Sequence, residues 1–533
     1  MNHPCLTRRT VLKVAAGMGV GAMVGGLRGA EIAGARSVRE FHACMNCSLF
    51  EEDSELIGAV VEAGVGHVWL PAFFYGFWPY SMERLGKVRG QLERAGVEVH
   101  AINIGLGHPG DSLGDASQKI PLAPPVDRWK YAVSIDGQKT TGCSIHAPAP
   151  AENAAAMAKL AANGYSRVFV DDDFRLARTP GMVGGCFCDE HKKRFLEGHG
   201  FDGGNWGTLI DSIRARKRTK ELDAWIEFQC DELGGTFKGI QAAAPEAKLG
   251  IMVMVFGAEK AGIRLEDYRQ TMMRVGEEHF NDAGFGPVKG KCDELYSALF
   301  HRRFARADLA YSESTAFPSN MLSAKNLAAK FVVSTIADVR NTMVMSGITP
   351  FPREYWKALG PALKEQRKVH EVVAGAKLRG PFKHYWGEDS RRVSDDRPNS
   401  LFLASGVPFE VCDEPSTEGF TFLNGFDARA VAEGRVKSGG TVFVDEGGVA
   451  GGRKMGEEWG QLMGLKREVM GKFADVPVVV EEKPVVCAWY PEKRAVVLWN
   501  LGEGREKFTL RKGVRTWGAE AGGLGTCLVT EVG

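Results

Sequence analysis

Acidic residues follow two strand-like segments of the chain. Three aspartates, at residues 171–173, come directly after an apolar segment, and Glu313 ends another. Hydrolysis of a glycosidic bond needs one carboxyl group to protonate the leaving oxygen, and a second that attacks the anomeric carbon or activates water. A run of aspartates can equally be a helix cap or a solvated loop. We expect Asp173 to be the proton donor, Asp172 or Asp171 to be its substitute, and Glu313 to be the nucleophile.

Aromatic and polar side chains near the ends of other strand-like segments suit a sugar. The C–H face of a sugar is apolar and packs on aromatic rings, whereas its hydroxyls need polar partners. For the two rings in this set, packing within a loop core is the alternative. The candidate binding residues are His42, Tyr75, Trp78, Asn103, Arg175 and Asp282.

A cluster of cysteine and histidine predicts a metal. Cys186, Cys188 and His191 stand within six residues, and Cys143 precedes them. A Cys₃His set is a normal closed zinc site, which stabilises a loop and leaves no open position for catalysis. The alternatives are free thiols or a disulfide between Cys143 and one of the pair, since cysteines separated by one residue bridge each other poorly. We expect a structural zinc and no organic cofactor.

Strand-like and helical segments alternate between residues 39 and 378, and these elements must position the side chains above. Eight such strands imply a parallel (β/α)₈ barrel, whose strands end together at one mouth. A doubly wound fold is disfavoured because no G-x-G-x-x-G follows the first strand. The acids after the fourth and seventh strands would then share that mouth. The predicted strands are residues 39–46, 67–73, 97–104, 166–172, 248–256, 279–282, 309–313 and 342–346.

Two further domains are predicted after the barrel domain at residues 36–378. A composition change at Arg379-Gly380-Pro381 is followed by a strand–helix–strand pattern, which indicates a small α/β domain at residues 379–475. From residue 476 to 533, short alternating strands separated by Pro-Glu-Lys and Gly-Glu-Gly turns indicate an antiparallel β domain.

The first 35 residues have the layout of a twin-arginine export signal. Arg8-Arg9 precedes an apolar run rich in glycine and alanine, and Ala33-Gly34-Ala35 offers a cleavage site. The run is shorter than the ~20 residues of a membrane span, so we expect no permanent membrane anchor. The twin-arginine export machinery is therefore an expected partner, and the expected location is the periplasm or the exterior. A homo-oligomer is compatible with the sequence.

The chain of 533 residues carries 67 basic and 66 acidic side chains, which leaves a net charge of +1. This balance disfavours a nucleic-acid binder with a broad cationic face.

The segment from Val170 to Arg175, followed by Cys186-x-Cys188-x-x-His191, resembles the acid-base strand and cysteine cluster of glycoside hydrolase family 42. These β-galactosidase-like barrel enzymes carry Asp-Asn-Glu-Tyr at that strand end, then Cys-x-Cys-x-x-Cys, with another zinc-binding cysteine upstream. The resemblance implies an acid-base role for Asp173 and a nucleophile at Glu313. It also implies zinc ligands at Cys143, Cys186, Cys188 and His191. The implied domain order is a barrel, an α/β domain similar to a glutamine amidotransferase fold, and a small β domain.

The chain departs from that family at both motif positions. Asp173 is one methylene shorter than the family's Glu, and Asp172 replaces the Asn that holds the sugar 2-hydroxyl. The middle domain is also much shorter than the family's trimerisation domain. Galactoside specificity is therefore not implied, and the sequence indicates a divergent member of the wider clan.

The leading hypothesis is an exported glycoside hydrolase that acts on an oligosaccharide or small glycoside by a retaining mechanism. Inversion through a water is the alternative if the shorter Asp173 holds the two carboxyl groups farther apart. One alternative is a non-catalytic carbohydrate-binding protein on a decayed barrel. Another is a metal-dependent enzyme with His42, His100 or Asp282 as ligands, which the lack of an H-x-H or H-E-x-x-H pattern disfavours.

Overall fold

The computed structural model describes residues 38–106, 126–171, 174–176, 181–276, 278–345, 350–444 and 452–533. The described residues belong to one compact unit. The predicted export signal and two predicted catalytic residues, Asp172 and Asp173, lie outside the described residues.

The first part of the chain forms a closed barrel of eight parallel strands. The strands of this part are β1 (Glu40–Cys44), β2 (His67–Phe74), β3 (Glu98–Ile104), β4 (Tyr131–Val133), β5 (Lys139–Cys143), β6 (Arg167–Val170), β7 (Lys248–Val253), β8 (Met272–Val275), β9 (Ala310–Ser312), β10 (Ser314–Thr315) and β11 (Asn341–Met345). Strands β1, β2, β3, β6, β7, β8, β9 and β11 pair in that order, and β11 pairs with β1 to close the ring. Strands β4 and β5 form a separate hairpin. The predicted barrel is confirmed.

Helices alternate with the barrel strands as the apolar periodicity predicts. They are α1 (Cys47–Glu52), α2 (Leu56–Glu62), α3 (Met82–Arg94), α4 (Ala149–Ala162), α5 (Asp189–His199), α6 (Gly203–Ala215), α7 (Lys220–Ala242), α8 (Asp282–Phe285), α9 (Val288–Arg302), α10 (Ala324–Ile336) and α11 (Arg353–Val373). Short 3₁₀ turns lie at Ala258–Ala261, Leu265–Tyr268 and Ala307–Leu309.

Inward-facing side chains fill the barrel, as the period of two along each strand requires. One interior layer is apolar and buried, and it consists of Cys44, Trp69, Ile102, Phe169, Met272, Tyr311 and Met343. Continuing two residues along three of these strands leads to Asp171, Arg274 and Glu313. The charged layer therefore lies one step nearer the mouth than the apolar layer.

The sixth predicted strand is wrong. The segment at residues 279–282 is not a strand, and the sixth barrel strand is β8, which contains Arg274. Arg274 interrupts the apolar pattern of β8. Its partners come from strands that are distant in sequence, so local periodicity does not reveal that this segment is a strand. Asp282 instead begins the short helix α8.

A five-stranded parallel sheet follows the barrel. Its strands are β12 (Phe382–Tyr385), β13 (Phe409–Cys412), β14 (Phe420–Leu423), β15 (Thr441–Val444) and β16 (Arg453–Lys454). Their spatial order is β13-β12-β14-β15-β16. The helices of this part are α12 (Glu388–Val393), α13 (Gly425–Ala432) and α14 (Trp459–Lys472), with a 3₁₀ turn at Leu401–Ala404. The predicted small α/β architecture is confirmed.

The C-terminal part contains two three-stranded antiparallel sheets. Its strands are β17 (Val478–Val479), β18 (Val485–Tyr490), β19 (Ala495–Asn500), β20 (Glu506–Lys512), β21 (Arg515–Ala521) and β22 (Thr526–Val529), with a 3₁₀ turn at Pro491–Lys493. The predicted boundaries at residues 379 and 476 fall between α11 and β12, and between α14 and β17. No helix among the described residues combines the length and apolar character that crossing a membrane requires.

Candidate active site

Glu313 lies at the mouth end of the seventh barrel strand, between β9 and β10. It is buried, and it shares the inward side of the strand with Tyr311. The Thr315 hydroxyl donates to Glu313 Oε1 at 3.4 Å, and an Arg274 guanidinium nitrogen lies 3.5 Å from the same oxygen. The carboxylate is therefore fixed by groups from two strands.

Asp171 occupies the equivalent place after β6, the fourth barrel strand. Its backbone N–H donates to the Asn103 carbonyl at 2.8 Å, which continues the pairing with β3 beyond the strand end. Its carboxylate is buried and forms an ion pair and hydrogen bond with Arg274. Asp171 and Glu313 thus approach the same guanidinium from two different strands.

Arg274 has no solvent-exposed surface. Burial by itself lowers the pKa of Arg274, but Asp171 and Glu313 outweigh burial and hold this pKa above its usual value. The guanidinium therefore stays charged and balances two carboxylates that would otherwise repel each other. Sequence reasoning missed this residue, although an arginine on the inward side of an apolar strand is a signal for a buried ion pair.

Three predicted sugar-binding residues lie at or near strand ends. Asn103 is buried near the end of β3, and its side-chain oxygen accepts a hydrogen bond from the Phe73 N–H at 3.1 Å. Trp78 is half-buried, with Lys159 Nζ 4.4 Å from its ring centre. Arg175 is half-buried after the fourth strand. Their roles in binding sugar stay predictions.

The structure places two other binding candidates where they cannot offer a surface to a sugar. Tyr75 is fully buried and packs in the core, with a left-handed backbone at φ 44°. His42 is also fully buried, and it pairs in register with His67, the first residue of β2. His42 therefore lies near the floor of the barrel rather than its mouth, because it stands in the middle of β1 and not at its end.

Asp282 is engaged in a loop contact. Its carboxylate accepts hydrogen bonds from the Ser323 N–H and from Asn326 Nδ2, both at 2.8 Å, at the start of α10. In this structure the Asp282 carboxylate holds two loops together, and its binding of sugar stays a prediction.

Three of the four predicted metal-ligating residues lie together, and a histidine that was not predicted joins them. His146, Cys186, Cys188 and His191 bring four possible ligand atoms within 4.8 Å of one another. Cys188 Sγ lies 3.2 Å from His191 Nδ1 and 3.5 Å from His146 Nε2. This set matches a Cys₂His₂ zinc centre.

Cys143, the predicted fourth ligand, is not part of that cluster. It ends β5, and burial raises the pKa of its thiol to about 12, so the thiol stays protonated. His146, three residues further on at the turn into α4, is the fourth member of the cluster in its place. The cysteines Cys143, Cys186 and Cys188 are free, which excludes the predicted disulfide alternative in this structure.

Three solved β-galactosidases share the architecture of this chain. The β-galactosidase from Rahnella sp. R3 matches with a TM-score of 0.55 and 11% identity, covering 94% of this chain and 98% of that one. That from Marinomonas ef1 matches with a TM-score of 0.58 and 9% identity, covering 92% and 99%. That from Bacillus circulans sp. alkalophilus matches with a TM-score of 0.55 and 11% identity, covering 92% and 98%.

The chain has the fold of these β-galactosidases. This confirms the fold that the resemblance to glycoside hydrolase family 42 implies, from the barrel through to the terminal β domain. No protein-family model and no curated protein matches the sequence. At 9–11% identity the likeness establishes the fold, and the activity must be argued from the site.

Proposed function

We propose that the protein is a glycoside hydrolase that cleaves a glycosidic bond in an oligosaccharide or small glycoside. The supporting observation is that Asp171 and Glu313 reach one buried guanidinium at the barrel mouth, and that Asp172 and Asp173 follow Asp171 directly in the sequence. A pair of carboxyl groups at the mouth of a barrel is the arrangement that glycoside hydrolysis requires.

Glu313 is the proposed nucleophile. Its ion pair with Arg274 favours the ionised form, which an attacking carboxylate must have. A Glu313 oxygen bonds to the anomeric carbon while the bond from that carbon to the leaving oxygen breaks. Water then displaces Glu313 in a second step, so the configuration of the sugar is retained.

Asp173 is the proposed proton donor, with Asp172 as its substitute. The donor gives its proton to the leaving oxygen in the first step and takes one from water in the second. Asp171 is less suited to this task, because its pairing with Arg274 favours the ionised form. We assign Asp171 the role of holding Arg274 in place beside Glu313.

We also propose a structural zinc ion at His146, Cys186, Cys188 and His191. Two thiolates and two imidazoles satisfy a tetrahedral zinc and leave no site for a substrate. The ion would join the segment after the β4–β5 hairpin to the start of α5. Export by the twin-arginine route, without a permanent anchor, is proposed from Arg8-Arg9 and the apolar run that follows.

The test is hydrolysis of a panel of nitrophenyl glycosides, including galactosides, by the wild-type protein and Glu313→Gln. We expect the variant to lose about 10³-fold or more in kcat while it stays folded, which its circular dichroism spectrum checks. Glu93→Gln is the control, because Glu93 lies on the surface of α3 and pairs with Arg89 at 2.8 Å. Wild-type turnover in Glu313→Gln would remove Glu313 from the mechanism. If calorimetry shows sugar binding but no nitrophenol is released from any glycoside, the non-catalytic alternative is favoured.

A further inference from the structure

The floor of the barrel, opposite the mouth, carries a second cluster of metal-ligating side chains. The cluster consists of Glu40, His42, His67, Glu98 and His100, which come from β1, β2 and β3. Glu40, His67 and Glu98 are the first residues of their strands, and His42 and His100 follow two residues after Glu40 and Glu98. They take no part in the candidate active site or in the proposed zinc centre around Cys186 and Cys188.

Three atoms of this cluster surround a space of the size of a metal ion. His67 Nδ1 lies 3.1 Å from His100 Nε2 and 3.5 Å from Glu98 Oε2, and the last two atoms are 3.9 Å apart. Atoms with these separations share a point about 2 Å from each, which is the distance at which zinc binds imidazole nitrogen and carboxylate oxygen.

Glu40 orients His67 toward that space. Glu40 Oε2 lies 3.2 Å from His67 Nε2 and is the natural acceptor for the proton on this nitrogen. A neutral imidazole carries one N–H, so Nδ1 then presents its lone pair to Glu98 and His100. A carboxylate behind a histidine ligand is the usual way in which proteins fix the ligating tautomer.

The remaining histidine is excluded as a ligand. Trp69 Nε1 donates to His42 Nδ1 at 3.2 Å, so the His42 proton resides on Nε2. His42 Nε2 lies 3.3 Å from Asn341 Oδ1, which accepts that proton. Both nitrogens of His42 are therefore occupied, and the triangle of His67, Glu98 and His100 is the better site.

The floor site is partly open to solvent. The Glu98 side chain is 56% exposed, which leaves a path from solvent and a position for water.

We propose that His67, Glu98 and His100 bind a zinc-like divalent ion through Nδ1, Oε2 and Nε2, with Glu40 as the partner that orients His67. The competing arrangement is a hydrogen bond from His100 Nε2 to His67 Nδ1, which the ion would replace. Since the site lies at the floor, it stabilises the first three strands rather than taking part in the chemistry.

The experiment counts zinc by mass spectrometry in protein equilibrated with zinc and then dialysed, and measures affinity by competition with a chelator. We expect Glu98→Gln and His100→Gln to hold one ion fewer than the wild-type protein. Glu40→Gln should keep the ion with about 10–100-fold weaker affinity. Glu93→Gln, on α3, should match the wild-type protein in both measurements.

Cys188→Ser separates the two metal sites. This variant should retain the floor ion, and the combination of Cys188→Ser with Glu98→Gln should lose it. Because Glu98 is more than half exposed, Glu98→Gln should fold even if His100→Gln does not. Equal zinc counts in wild-type protein and Glu98→Gln, with Cys188→Ser either present or absent, would overturn the floor site. That result would leave the proposed hydrolase untouched.

Discussion

Arg274 separates two carboxylates, Asp171 and Glu313, that lie buried at the mouth of the barrel. Burying any one of these three charged groups alone would cost desolvation free energy. The attraction between the guanidinium and the two carboxylates offsets this cost. The arrangement therefore couples the stability of the barrel to the ionisation of the proposed nucleophile. It also explains why a strand with an arginine at its centre remains part of the barrel core.

Replacing Arg274 should expose this coupling. We expect Arg274→Met to lower the free energy of unfolding by about 3–5 kcal/mol, because it leaves two buried carboxylates without their cation. Chemical denaturation measures this loss. Asp171→Asn combined with Arg274→Met should be more stable than the sum of the two single losses predicts. Strict additivity would contradict the coupling.

Glu278 offers a test by pH. This half-buried side chain lines a cavity of about 410 Å³ with Lys289, Asp293 and Asp396. Burial, and then the neighbouring acids led by Glu294, raises the pKa of Glu278 from 4.5 to about 8. The folded protein therefore holds this proton more tightly than the unfolded chain, and stability is lost as pH rises from 4.5 through 8.

Glu278→Gln should remove that loss. We expect its melting temperature to equal that of the wild-type protein near pH 4.5 and to exceed it increasingly up to pH 9. The exposed Glu62→Gln serves as the control and should show no such trend. A wild-type advantage that grows with pH would show that the Glu278 carboxylate is stabilised rather than penalised.

At the scale of elements, the periodicity of apolar residues is sufficient to predict most of the barrel strands. Long strands such as β2 and β3 are visible in the sequence because most of their residues are apolar and buried. Strand β8 is not predicted because the charge of Arg274 is balanced by Asp171 and Glu313, which lie far away in sequence. Acids at the ends of the fourth and seventh strands could be predicted, whereas the guanidinium between them depends on barrel closure.

The residues of the metal cluster, after the hairpin β4–β5 and at the start of α5, could also be predicted only in part from the sequence. Spacing identified Cys186, Cys188 and His191, since they are close in sequence. The fourth ligand depends on how the hairpin leads into α4, and this path brings in His146 rather than Cys143. Chain direction after a hairpin is a tertiary property that residue spacing does not encode.

The change of ligand predicts opposite effects for two substitutions. His146→Gln should reduce zinc affinity by at least about 10-fold, because it removes a nitrogen ligand from the proposed centre. Cys143→Ser should leave zinc content unchanged, although it alters a buried side chain. Zinc titration with a colorimetric chelator measures both. Loss of zinc in Cys143→Ser together with full retention in His146→Gln would restore the original ligand set.

At the scale of the whole molecule, buried polar contacts join the barrel to the parts that follow it. Lys260, in the turn after β7, reaches Asp396 at 2.7 Å and is itself buried. The Tyr490 hydroxyl, at the end of β18, donates to the Ile336 carbonyl of α10 at 3.0 Å. The order of three architectures could be predicted from composition and turns, but these contacts between them could not.

In the proposed mechanism, Glu313 attacks the anomeric carbon of a sugar bound at the barrel mouth. The direct test is mass spectrometry after incubation with a 2-deoxy-2-fluoro derivative of the glycoside that the panel identifies, activated with a dinitrophenyl leaving group. The fluorine slows hydrolysis of the glycosyl-enzyme intermediate. In a retaining enzyme the sugar therefore stays bound to the nucleophile long enough to be detected. We predict one fluorosugar on the peptide that contains Glu313 and none in Glu313→Gln. A label on another residue, or an unlabelled protein that still hydrolyses the parent glycoside, would contradict this role.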